Sequence, residues 1–158
     1  MRFPPIAPQE LAAEQRPLYD GMKAGINAKY NLFTTMRADV AVVSDRVRQI
    51  AILVMGARFD ARYELYAHAA VASKHGLSDQ FISTLVSGNR PGGMADDEGL
   101  TYEVAHSVSS GRRLLDDTYR RAITLFGQRR TNELIYLVDH YCFVSVTLNR
   151  FDIPVPSE

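Results

Sequence analysis

Apolar residues recur at three- and four-residue spacing along most of the chain, while alternating or β-branched runs bounded by turns are scarce. This pattern predicts an all-α fold. A first helix is expected over residues 8–22, with Pro8 tolerated in its opening turn, Pro17 kinking or breaking it, and Leu11 and Leu18 facing inward. Residues 23–43 fit no single periodicity. The next helix starts at Ser44 or Asp45, both good N-caps, and carries Val47, Ile50, Ala51 and Val54 along one stripe. A third spans residues 61–75 and stops at Gly76, where a missing Cβ suits the left-handed C-terminal position.

Ser78 is positioned to cap a short helix carrying Phe81, Ile82 and Leu85, and the glycines and Pro91 of the segment 88–93 exclude helix there and predict a mobile loop. Asp96 or Asp97 opens a helix with Leu100, Val104 and Val108 on one face, ended by Gly111. Asp116 caps another that Gly127 closes. The last helix begins at Thr131 and runs Leu134, Val138, Cys142, Ser145 and Leu148 along a seam, before a tail with two prolines. Short connections of this kind join antiparallel neighbours in a compact helical bundle.

A chain of 158 residues with 46% hydrophobic content suffices for one core, so the expectation is a single domain over 1–158, with an N-terminal helix and connecting segment over 1–44. Basic and acidic side chains number 18 each and no Lys/Arg block occurs, which argues against a nucleic-acid partner. No apolar run approaches membrane-spanning length and the N-terminus is interrupted by prolines and charges, so no membrane partner and a cytoplasmic location are expected. The single cysteine, Cys142, leaves no paired-thiol centre within one chain. It reads as a small buried hydrophobe of the last helix.

The segment Tyr63-Glu64-Leu65-Tyr66-Ala67-His68, continuing through Ala69-Ala70-Val71-Ala72 to Gly76-Leu77-Ser78-Asp79, resembles the core helix signature of the carboxymuconolactone decarboxylase family. The upstream run from Arg46 to Leu53 resembles the helix that precedes this signature, and Leu148-Asn149-Arg150-Phe151-Asp152-Ile153 resembles the family's ending. The similarity covers residues 45–154. It implies an AhpD-like helical fold that assembles as a homo-oligomer, and a cofactor-free lyase acting on a small carboxylated lactone or related cyclic acid in aromatic-compound metabolism. Relatives with alkylhydroperoxidase activity carry a Cys-x-x-Cys pair on the signature helix; residues 65–68 here hold no thiol, which removes thiol peroxidase chemistry. Many relatives also have a glutamate where Gln49 stands, and an amide neither carries charge nor exchanges a proton near neutral pH. The stretch between residues 33 and 45 is shorter than in longer relatives.

Glu64 and His68 are the expected catalytic residues. Positions four apart on a helix lie one above the other, so the carboxylate is expected to orient the imidazole and raise its basicity, and His68 to protonate a dienolate carbon. Taken without the resemblance, such a pair is more often solvated and worth a few tenths of a kcal/mol. Gln49, Tyr66, Arg48 and His140 are candidate substrate-binding residues: the arginine as a carboxylate clamp, the tyrosine as a wall or donor, and the histidine as a pocket lining. Two ligands at helical spacing do not make a metal site, so no metal and no organic cofactor are expected. The alternatives are a non-catalytic oligomeric scaffold, and a hydrolase or isomerase using the same Glu-His pair.

Overall fold

A computed structural model describes residues 43–111 and 113–156, with four isolated positions at 9, 13, 16 and 20. The expected helix over 8–22 and the segment 23–43 lie almost wholly outside the described residues. Residues 43–158 form one compact unit. Among the described residues the fold is all-helical, without strands. Its helices are α1 (Asp45–Phe59), α2 (Arg62–Lys74), α3 (Asp79–Val86), α4 (Asp96–Val108) and α5 (Asp116–Arg150).

The helix α1 is the axis of the unit and packs against each of the other four. Its sequence predicted one apolar stripe, but burial continues all round it, through Val47, Gln49, Ile50, Ala51, Ile52, Leu53, Val54, Met55 and Gly56. A helix covered on every side is apolar on every side; the exception is Gln49, whose amide therefore requires a partner within the core. Ser44 caps the start by accepting from the Val47 amide at 3.3 Å.

The stop is sharp. Asp60 takes the left-handed conformation (φ 49°) and the Ala61 amide reaches back to the Gly56 carbonyl at 2.9 Å. This reversal folds α2 directly onto α1, and Gly56 permits the close approach: a Cβ built there would lie 2.8 Å from Leu65 Cδ2 and 3.5 Å from Glu64 Oε1. Gly76 (φ 82°) ends the turn after α2, as its missing Cβ predicts, and Ser78 caps α3 through the Phe81 amide. Arg46 ties these pieces together by pairing with Glu98 on α4, donating to the Gly76 carbonyl, and lying 5.6 Å from the centre of the Phe81 ring.

Ala95 stands at the N-cap of α4, in place of Asp96 or Asp97, and the Glu98 side chain accepts from its amide at 3.1 Å. In α5 the expected division at Gly127 is present as a break in the helical backbone (φ 80°, ψ 163°), and Thr131 Oγ1 donates to the Gly127 carbonyl at 2.9 Å. The first half starts one residue beyond Leu115, the observed N-cap in place of Asp116. No helix among the described residues is long and apolar enough to cross a membrane.

Gly56→Ala tests the α1–α2 contact. The added methyl overlaps Leu65 in a packed layer, so the expected loss is about 1–3 kcal/mol in denaturant unfolding. Unchanged stability would mean that α2 shifts freely on α1.

Candidate functional site

The buried stripe of α2 is polar where it meets α1 and α5. Glu64 and Ala72 are the buried residues of this helix, and Glu64 is only 2% exposed. Its Oε2 accepts from Ser145 Oγ on α5 at 2.8 Å, whereas Oε1, turned toward Gly56, is sealed from solvent and has no hydrogen-bond partner. A carboxylate with one donor in a dry setting is poorly stabilised. Burial accordingly pushes the Glu64 pKa up to about 7, against the smaller lowering effect of the Ser145 hydrogen bond.

His68 lies one turn further along the same face and is half-buried. The expected direct contact with Glu64 is not made. The helical spacing aligns the two side chains, but the carboxyl turns to Ser145 while His68 Nδ1 sits 2.8 Å from Gln49 Oε1 on α1. Because that amide oxygen only accepts, Nδ1 carries the hydrogen and Nε2 presents the lone pair. The expected rise in histidine basicity is also corrected, since burial without a charged partner lowers the His68 pKa to about 4. The imidazole is thus a neutral, oriented base, and the acid in this pair is Glu64.

Gln49 therefore belongs to the cluster, as the residue that holds His68. Arg48, next to it on α1, pairs with Asp45 and acts electrostatically on Tyr141. His140 is reached through the same tyrosine: its ring meets the Tyr141 ring edge-on at 5.3 Å, and burial lowers its pKa to about 4. Tyr66 is 49% exposed and makes no polar contact with this group among the described residues. Among the described residues, no three His, Cys, Asp or Glu side chains converge to hold a metal ion. An open groove lined by Arg58, Leu85, Tyr102 and His106 contributes nothing to the cluster.

Tyr141 is the residue that sequence reasoning missed. Its ring stands perpendicular to His68 (5.2 Å between centroids, 89°), and it feels Glu64 and Arg48 in opposite senses. Burial, its largest influence, pushes the phenol up to about 12, so it remains protonated. The signal was available in the spacing: Leu134, Val138, Tyr141, Ser145 and Leu148 follow a four-three-four-three progression that Cys142 interrupts. Cys142 sits beside this line, 3.5 Å from the Met55 sulfur, with a thiol pKa raised first by burial. No family model matches the chain, and neither a curated protein nor a solved structure matches it.

These ionisations leave a mark on stability. Glu64 holds its proton to higher pH in the folded chain (about 7 against 4.5), so the folded state binds more protons across that window and stability falls as pH rises through it. His68 and His140 act oppositely: the unfolded chain protonates them first between 6.5 and about 4, so stability falls as pH drops. The two imidazoles together outweigh the one carboxyl over the shared window, so Glu64→Gln is expected to steepen the rise in stability between about pH 4.5 and 6.5 and to remove the short decline between about 6.5 and 7, the pH-dependent difference from the wild type reaching roughly 3 kcal/mol at most. Urea titrations across this range read the difference, and parallel profiles for the two proteins would assign the effect to another group.

Proposed function

We propose that the chain is a cofactor-free proton-transfer enzyme of the carboxymuconolactone decarboxylase type, a lyase acting on a small carboxylated lactone or related cyclic acid. Its setting in this reading is cytoplasmic, and its working form a homo-oligomer. The observation that carries the reading is the sealed Glu64 carboxyl, half-protonated near neutral pH, one helical turn from a neutral imidazole. A general acid works best when its pKa lies near the working pH, and a buried carboxyl with an unsatisfied oxygen is a costly way to fill a core position.

The reaction balances with these groups alone. The bond between the ring carbon and the substrate carboxylate breaks, carbon dioxide leaves, and the electron pair enters the conjugated lactone as a dienolate. Glu64 is the proton reservoir: on turning from Ser145 it passes its proton through one water to His68 Nε2, which delivers it to the ring carbon as charge develops, while Gln49 keeps the imidazole in one tautomer. Water admitted by the same turn reprotonates Glu64 once the product has left. The Arg48 guanidinium supplies the positive charge that receives a carboxylate-bearing substrate.

The experiment is turnover on a panel of carboxylated lactones, followed by ultraviolet absorbance and released carbon dioxide. Expected is a rate that falls above about pH 7, as Glu64 ionises, with loss of about 10²–10⁴-fold in His68→Ala and Glu64→Gln. Retained turnover in His68→Ala removes the role of the pair, and a well-folded protein inert across the panel favours the scaffold reading.

A further inference from the structure

The chemistry above pushes electrons onto the lactone carbonyl oxygen, and neither Glu64 nor His68 is assigned to meet that charge. The geometry points to the Tyr141 hydroxyl as the hydrogen-bond donor to this oxygen. This inference rests on the proton-transfer reading and adds to it the residue that recognises the lactone carbonyl.

Three observations carry it. First, the ring is held from two sides: His68 packs perpendicular to it at 5.2 Å and His140 at 5.3 Å, so the direction of the hydroxyl is set before a ligand arrives. Second, the hydroxyl makes no hydrogen bond among the described residues, yet the polar side-chain atoms both sealed and unpartnered are Glu64 Oε1 and Thr101 Oγ1. A largely buried phenol whose hydroxyl has no partner among the described residues can donate to an acceptor placed against it. Third, its electrostatic neighbours are the acid and the guanidinium that the reaction requires, Glu64 and Arg48. The phenol stays protonated throughout the working range, so it can donate to a forming oxyanion without giving up its proton.

Tyr141→Phe separates this role from packing, because it deletes the hydroxyl and keeps the ring that both imidazoles touch. Two unreactive probes read it by calorimetry: a saturated γ-lactone carboxylate, and the cyclic ether carboxylate of the same ring size, which lacks the carbonyl. The wild-type chain is expected to prefer the lactone by about tenfold, and the variant to lose that preference while binding the ether unchanged. On a lactone acid that the wild type turns over, the variant is expected to lose about 10²-fold in kcat, with a pH profile of unchanged shape. A preference that survives in Tyr141→Phe overturns the inference and leaves the proton-transfer reading standing. Equal weakening of both probes overturns it as well, by assigning Tyr141 to packing. A wild-type chain that binds neither probe and turns over no lactone acid removes the reading and the inference together.

Discussion

A carboxyl oxygen that cannot find a donor governs the centre of this protein. Glu64 is carried onto α1 by the tight reversal at Asp60, at the place where Gly56 leaves room for it, and only Ser145 reaches it from α5. The neutral acid is the form such an environment tolerates, so the proton on Glu64 is a consequence of packing. Its release is thereby moved to near-neutral pH. The α1–α2 turn, the absent side chain at residue 56 and the hydroxyl at residue 145 are thus parts of one device, although they lie far apart along the chain.

The helices were legible in the sequence because their signals are local. Ser44, Ser78, Gly76 and Gly127 act through their own backbone and caps, and each stands at the boundary its chemistry predicts. The complete burial of α1 was not legible, since a stripe through Val47, Ile50, Ala51 and Val54 says where one face goes and nothing of how many neighbours surround it. The site divides the same way. That residues 64 and 68 share one face of α2 was legible in their spacing, but their partners, Ser145 and Gln49, come from other helices. Helical spacing establishes that two side chains share a face; which way each turns is decided by the donors and acceptors that tertiary packing brings.

A structural account of Glu64 must meet its energetic cost. A buried ion or an unsatisfied carboxyl oxygen is more expensive than an apolar side chain of similar volume, and no cation in the described structure pairs with it. Among the described residues the other buried carboxylate, Glu98, contrasts with it directly, having Arg46 on one oxygen and the Ala95 amide on the other. Glu98 has the partners of a structural residue, and Glu64 lacks them. Within one small core, the two glutamates show what a carboxyl looks like when it stabilises a fold and when it holds a reserve of proton affinity.

Gln49 is the partner that the half-buried imidazole finds on α1. A carboxylate at that position would raise the basicity of His68 and compete with Glu64 for the same proton. The amide instead accepts from Nδ1 at 2.8 Å whatever the pH, fixing the tautomer while leaving the imidazole neutral. Burial lowers His68 and raises Glu64, so near neutrality the proton rests on the carboxyl and the lone pair faces outward from Nε2. With an amide at residue 49, the titratable acid of the cluster lies on α2 and α1 orients the imidazole.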